Sequence, residues 1–436
     1  RYMGKEEKEK EKGEKVIAKA EFLFGQQKYR NAADEFMKAG EVFFKLSEWQ
    51  IAEKCFLYGA KSFIAIERYK EACDLLRLSA NCCLMMDDLG KARDYYDSAA
   101  KNAIKSEDKN KETNAIITIT FSYLCYFLLG QHDKAIQYIA KMKEYIDIND
   151  FNENPLVQLV KLLTSAILNG SESALHSAIE LYPKFKFRSA ENKLIRMALI
   201  IASIYVEMEI MVELEQQEFY NNTKFQCIIQ IDIQDVFANR EKDIQDYQIS
   251  SLKIKELAVS MSENLIQQGE IQVPIEFQKT VRIPIQFKTT FPGKGFVGPV
   301  MFLFELENKY RFYAHSDEAK INVKSLDAVL SITFDPQQTP IVNQTFPMNV
   351  ELKNNSEGEA VDLTVKFEFP EELKMMNGTF EKKILSLGCR ENISWQIRVK
   401  SSQPGKIPIK TIIEYNDPDG KKMGPIIYEN EIEINL

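Results

Sequence analysis

Four alanines, Ala32, Ala52, Ala72 and Ala92, stand 20 residues apart, each in the same frame of neighbours. Three residues before them come Tyr29, Trp49, Tyr69 and Leu89, and four after come Phe36, Phe56, Leu76 and Tyr96. Three further on is a small residue each time: Ala39, Gly59, Ser79, Ala99. Positions i, i+3, i+7 and i+10 share one face of an α-helix. The small residues let a neighbouring helix come close, the large one fills the gap, and the leading aromatic packs back on the preceding helix. A looser fifth copy runs His132, Ala135, Ile139, Met142. A period of 20 leaves about 16 residues of helix and about four of turn, a short antiparallel connection. Two such helices make a hairpin of tetratricopeptide size. Trp49 therefore reads as a packing residue that fixes the repeat register, and not as a platform for a ligand.

The pattern continues with changed spacing. Asn154 with Pro155 signals a helix start, Gly170 a stop, Ser171 another start and Pro183 another stop. "SAENKLIRMALIIASIYVEMEIMVELEQQ" (189–217) is expected to supply the last long helix or pair of helices. The stack should hold roughly nine to eleven helices. The charged segment 1–15, "RYMGKEEKEKEKGEK", reads either as a solvated helix extension or as a frayed terminus.

Near residue 221 the hydrophobic period changes from helical to alternating, as in "IQVPIEF" (271–277) and "DLTVKFEF" (362–369). The expected fold class is multidomain, α then β: a helical solenoid over 16–220, then immunoglobulin-like β-sandwiches over 222–325 and 326–436. Each β unit carries about seven short strands by its turn signals. "NREKD" and "FPGKGFVG" are expected as loops of the first. Trp395, alternating with Ile393 and Ile397, is expected in the core of the second.

Composition narrows the function classes. Of 436 residues, 45% are hydrophobic and 28% charged, and the net charge is −8, which disfavours nucleic-acid binding. The seven cysteines form no CxxC pair and the three histidines lack ligand spacing, so neither a disulfide framework nor a zinc site is expected. No signal peptide or clean membrane span is read, and the cytoplasm is the expected compartment. Phosphate-loop, zinc-protease and nucleophile-elbow motifs are missing. "FPGKGFVGP" (291–299) reads as a hairpin loop, and "NDPDGKKMG" (416–424) as a turn that lacks the twelfth-position acid of a calcium loop. No cofactor and no catalytic residue is expected.

The run "KYRNAADEFMKAGEVFFKLSEWQIAEKCFLYGAKSF" (28–63) resembles the soluble NSF attachment proteins. The stepping of "YKEACDLL" and "LGKARDYYDSAA" and the stretch "AIELYPKFKFRSAENKLIRMAL" (178–199) are similar to the same family. The resemblance spans about residues 20–200. It implies a twisted helical sheet that grips SNARE helical bundles and presents them to a hexameric AAA ATPase. The sequence departs from the family in three ways, one being that the terminal Leu436 follows the strand-like "ENEIEIN" and does not take over the ATPase-stimulating role of the family's C-terminal leucine. Only "EFLFGQQ", with Phe22, Leu23 and Phe24, occupies the site of the membrane-attaching loop, and β-structure replaces the family's C-terminal helical region. The candidate partner-binding residues are Lys28, Lys45, Lys70 and Lys91, at comparable register near the repeat turns and so placed to line one edge. To these are added Lys184, Lys186 and Arg188 of "YPKFKFR". The expected function is a non-enzymatic adaptor that binds helical bundles or peptides through the solenoid. Peripheral membrane contact is weakly implied. The alternative is a scaffold subunit of a TRAPP- or coat-like trafficking complex with no SNARE or ATPase link.

Overall fold

The structure is a computed structural model, and it describes residues 4–146, 148–233, 249 and 251–436. Its first half is helical. Helix α1 (Lys5–Gly25) is followed by α2 (Tyr29–Lys45), α3 (Trp49–Ala65), α4 (Tyr69–Met85) and α5 (Leu89–Lys105). The last four have 17 residues each and start on the leading residue of the repeat. The four repeat alanines are fully buried, as are Phe36, Phe56, Leu76 and Tyr96 to within 3%. Trp49 opens α3 and packs edge-on against Phe44 of α2, with ring centroids 4.9 Å apart. Its role is packing, as the repeat implies. Segment 5–15 belongs to α1, where Lys10 pairs with Glu48 of the α2–α3 turn at 2.7 Å.

Helices α1–α4 end the same way. Gln27, Ser47, Glu67 and Asp87 occupy the left-handed region, with φ between 58° and 61°. The following amide reaches back five residues, as Lys28 N–H does to the Leu23 carbonyl at 3.0 Å. This is the Schellman closure, made here four times without a glycine. Three-residue turns between neighbouring helices reverse the chain at every step. The turns at 26–28, 66–68 and 106–110 therefore lie along one rim of the stack, and those at 46–48, 86–88 and 129–131 along the other.

Beyond α5 the stack thickens. Helices α6 (Lys111–Leu128), α7 (His132–Tyr145), α8 (Ile148–Glu153), α9 (Pro155–Asn169) and α10 (Glu172–Leu181) lead through a 3-10 turn, Tyr182–Lys184, to α11 (Ser189–Glu207). Asn154 accepts from the Leu156 amide, Gly170 closes α9 in the left-handed region, and Ser171 caps α10 through the Ala174 amide. These are the starts and stops read from the sequence. Helix α11 lies against α4, α6, α9 and α10 as a second layer. Arg77 of α4 donates two bonds to the fully buried Glu191 of α11, at 2.5 and 2.8 Å, and lies 5.7 Å from the centroids of both the Phe121 and Phe187 rings. On another face of α4, Glu53 of α3 reaches past it to Lys91 at 2.9 Å and to the Tyr95 hydroxyl, both on α5.

One boundary differs from the sequence reading. The helices end at Glu207, and "MEIMVEL" turns into strand β1 (Glu209–Leu214) instead of extending the last helix to residue 220. A short apolar run serves either period, and pairing with a neighbouring strand decides it. The first sandwich therefore starts at 209. One sheet is ordered β1, β3 (Lys224–Asp232), β7 (Thr280–Thr289), β5 (Leu265–Gln268). The other runs β2 (Glu218–Tyr220), β10 (Ala319–Lys324), β8 (Gly293–Leu306), β4 (Leu252–Met261), β6 (Ile275–Phe277), with β9 (Tyr310–His315) also on β8. The expected loop "FPGKGFVG" is mostly strand. Residues 293–297 pair with β10, because glycines at that end of β8 do not prevent the ladder from forming. The other expected loop, "NREKD" (239–243), lies outside the described residues.

Helices α4–α11 and this sandwich share one continuous apolar core, from Ala80 in α4 to Val323 in β10, while the N-terminal repeat helices bury clusters of their own. The β8–β9 turn docks on the second rim. Lys309 pairs with Asp87, and Leu129 bridges to Arg311 at the edge of β9. Gly130 makes this approach possible: its φ is +71°, and a Cβ there would sit 3.1 Å from the Arg311 carbonyl oxygen.

The second sandwich has its own core. Its sheets are ordered β11 (Leu330–Pro336), β12 (Thr345–Asn354), β16 (Asn392–Ser401), β14 (Leu373–Asn377), and β15 (Glu381–Leu387), β13 (Ala360–Glu368), β17 (Gly405–Asn416), β18 (Lys422–Ile434). Trp395 is half-buried against Phe367, with ring centroids 6.2 Å apart. The buried Asn221 pins the two sandwiches together: it accepts from the Leu326 amide at 2.9 Å and donates to the Glu357 carbonyl at 3.2 Å. Gly358 lies so close to Leu326 that a Cβ would stand 2.1 Å from its carbonyl oxygen.

Candidate functional site

The repeat lysines do not line a single edge. Since each turn reverses the chain, Lys28 and Lys70 fall on the first rim and Lys45 and Lys91 on the second. Equal register in sequence becomes alternation in space. Lys91 is also engaged, its exposed side chain reaching the buried Glu53 carboxylate at 2.9 Å. Burial opposes its charge, but Glu53 overrides this and holds the ammonium above its ordinary pKa. Lys28 and Lys45 are exposed at helix ends.

Lys70 and Arg188 both act on the charge of Asp74. Partial burial pushes the Asp74 carboxyl above its usual range, while Lys70, Arg188 and Arg77 pull it back down. In "YPKFKFR" the side chains alternate: Phe185 and Phe187 pack against the core, and Lys184, Lys186 and Arg188 are exposed. The stretch is a connector that turns its apolar side inward and its cations to solvent.

On the first rim, Tyr69, Lys70, Lys105 and Asp108 help to line a cavity of about 530 Å³. Lys70 lies 4.0 Å from Asp108, Arg68 pairs with Glu71, and Lys105 sits 5.7 Å from the centroid of the Tyr69 ring. Its charges are balanced in pairs, so it offers a polar notch and no concentrated field.

A second feature escaped the sequence reading. Phe24, Phe36 and Tyr58 form an aromatic cluster across α1, α2 and α3, with Phe24 edge-on to Tyr58 at 6.0 Å and Phe36 stacked on Tyr58 at 5.6 Å. Tyr58 is 43% exposed, carries Lys61 over its ring at 4.9 Å, and shares this end of the stack with Phe22, 65% exposed. "EFLFGQQ" is thus the end of α1, with Phe24 turned in and Phe22 turned out. The available signal was Tyr58, which precedes the small residue Gly59 of the repeat and so leaves the packed face.

Five of the seven thiols are held in the buried, protonated form. Burial pushes Cys55, Cys73, Cys82, Cys83 and Cys227 up to about 12, far from thiolate formation at neutral pH. Among the described residues no group of three or more His, Cys, Asp or Glu is placed to hold a metal ion. In "NDPDGKKMG", Asp417 accepts from the Lys421 amide at 2.7 Å and Asp419 from the Ser325 amide at 3.2 Å. Those carboxylates brace a turn against the first sandwich. Among the described residues no helix is long and apolar enough to cross a membrane.

No protein-family model and no curated protein matches the chain. Among solved structures, the chain is similar to a cohesin module from a Clostridium perfringens ATCC13124 family 33 glycoside hydrolase. That likeness has 13% identity and a TM-score of 0.19, and covers 25% of this chain and 98% of the module. It is also similar to red sea bream transglutaminase, at 9% identity and a TM-score of 0.19, covering 58% of this chain and 34% of that one. Likenesses at these scores carry no weight for fold or function, which rest on the chain's own geometry.

Proposed function

We propose that the chain is a non-enzymatic adaptor of the cytoplasm that binds helical bundles or peptides through the uncovered part of its solenoid. The observation that carries this reading is the exposed aromatic and cationic surface of α1–α3, Phe22, Tyr58 and Lys61, on the part of the stack that the sandwiches leave open. Solenoids recognise partners through side chains of successive repeats, and Tyr with a neighbouring cation is a common anchor. The finer reading is that the partners are SNARE-like bundles and an AAA ATPase, as for soluble NSF attachment proteins. The test is a pull-down of the full chain with an assembled SNARE bundle and a hexameric AAA ATPase. Retention that is lost in Tyr58→Asp and in Lys28→Glu/Lys61→Glu supports it. Absence of retention by the folded chain refutes the SNARE link.

A second reading is a scaffold subunit of a TRAPP- or coat-like complex, and one observation favours it. The later helices of the solenoid, α4–α11, share a core with the first sandwich, which supports a rigid multi-surface body. The second sandwich, with β11, β12 and β16 in one sheet and β13, β17 and β18 in the other, follows the A-B-E and C-F-G grouping of immunoglobulin-like folds. Peripheral membrane contact stays a minor element of either reading.

A further inference from the structure

Two edge strands run along one side of the second sandwich. Strand β14 ends one sheet and β15 ends the other, and the short link 378–380 joins them. Large apolar side chains stand out from this side: Met376 and Phe380 are each 54% exposed, and Leu385 is 87% exposed. Local geometry puts them there. Met375 pairs with Val399 and Asn377 with Arg398, so Met376 is the extra residue of a β-bulge, and a bulge re-aims its side chain. Phe380 rests one edge on Phe369, with ring centroids 5.6 Å apart, and its carbonyl accepts from the Phe367 amide at 2.8 Å. Leu385 falls opposite the point where Asp362 kinks β13 at φ +51° and the pairing of β13 with β17 shifts register.

Cations surround these side chains. Lys374 of β14 lies directly opposite Lys400 of β16, and Asn377 opposite Arg398. Ile397 and Val399 are buried, so Arg398 and Lys400 share the outer face of the sheet with Lys374. Like charges directly opposite one another destabilise a sheet, and none of these three cations has an ion-pair partner among the described residues. Lys382 and Lys383 follow on β15, between Phe380 and Leu385, and Lys383 reaches Glu381 at 3.8 Å. Over this stretch the five cations outnumber the acids Glu371, Glu372 and Glu381, in a chain whose net charge is −8. On β13 the charges of Asp362 and Lys366 offset one another.

The form of the patch selects its partner. A bulge and outward lysines keep another strand from adding to an edge. Protein partners anchor their side chains in pockets, whereas a leucine that is 87% exposed stands clear of its neighbours. The headgroup layer of an anionic bilayer accepts protruding apolar tips and attracts the cations around them. We infer that the β14–β15 side of the second sandwich docks on an anionic lipid surface. Met376, Phe380 and Leu385 enter the headgroup layer, and Lys374, Lys382, Arg398 and Lys400 meet the lipid anions. This contact is separate from the α1–α3 surface on which the adaptor reading rests.

The test is flotation of the full chain with vesicles of phosphatidylcholine alone and of phosphatidylcholine mixed with phosphatidylserine. The chain should float with the phosphatidylserine vesicles and not with the neutral ones, and rising salt should release it. Lys374→Glu/Lys400→Glu should weaken binding at least ~20-fold, at about fivefold for each cation near the surface. Lys374→Arg/Lys400→Arg should bind like the parent. Leu385→Ser should weaken binding by about tenfold, the loss of one buried apolar side chain. Leu168→Ser, which changes another exposed leucine on α9, should leave it unchanged. Unchanged melting temperatures show that the variants fold. The proposal is overturned if neither vesicle binds, if both bind equally, or if the charge-reversed and Leu385→Ser variants bind like the parent. It is also overturned if Leu168→Ser weakens binding as much as Leu385→Ser does. Capture of a fluorescein-labelled pentaglutamate peptide without any vesicle binding overturns it too and assigns the patch to an acidic polypeptide. The adaptor reading is tested separately, since a failed pull-down leaves vesicle binding untouched.

Discussion

His132 opens α7, and its Nε2 is buried without a hydrogen-bond partner, its ring 5.3 Å from that of Phe127. Burial lowers its pKa below the ordinary 6.5, although a bond to Phe127 and the charge of Asp133 pull the other way. As pH falls, the unfolded chain therefore takes up this proton before the folded one does. The contribution to stability is complete above pH 6.5 and drains away as pH falls from there towards the lower folded value. Urea unfolding near pH 7.5 and near pH 5.5 should show a smaller loss in His132→Phe than in the parent. An equal loss in both would assign the pH dependence to other groups. Glu67 makes a different point at this scale. It holds a left-handed conformation that glycine adopts without strain, as Gln27, Ser47 and Asp87 also do. Nothing about a glutamate or a glutamine announces that geometry, so the closure of these helices could not be read from residue type.

Among the elements, the repeat was legible because burial enforces it. An alanine every 20 residues is the only size that fits where helices touch, and Ala32, Ala52, Ala72 and Ala92 are all fully enclosed. The helix starts at Asn154 and Ser171 were equally legible, since their side chains do local work that local sequence encodes. Strand β1 was not, because only its pairing with β3 makes "EIMVEL" a strand. The short strands β2, β5 and β14 were lost for the same reason. Alternation of the rims did follow from the short turns, but the lysines were read by register alone. The Arg77–Glu191 pair is another long-range tie hidden from local reading, and it fastens α4 to α11. Glu191→Ala strands a partly buried guanidinium beside two rings and should cost about 3 kcal/mol. Denaturant unfolding checks this, and a loss below about 1 kcal/mol would mean that water replaces the carboxylate.

For the molecule as a whole, the distribution of cores matters more than the number of folds. Helices α4–α11 and the first sandwich bury one continuous cluster, the repeat helices bury an adjoining one tied to it through α4, α5 and α6, which belong to both, and the second sandwich buries a separate one. Calorimetry should therefore resolve two transitions and not three. The fragment 326–436 should reproduce the smaller one, while helices cut at residue 207 should fail to melt cooperatively. A third transition would show that the solenoid and first sandwich are independent. The alternation of the turns also divides the chain into permissive and forbidden insertion points. A peptide tag spliced into 66–68 would project from the open rim and leave the stack intact. The same tag in 86–88 would be driven into Lys309 and pry the sandwich away, although the two loops are equally short, equally polar and a single helix apart.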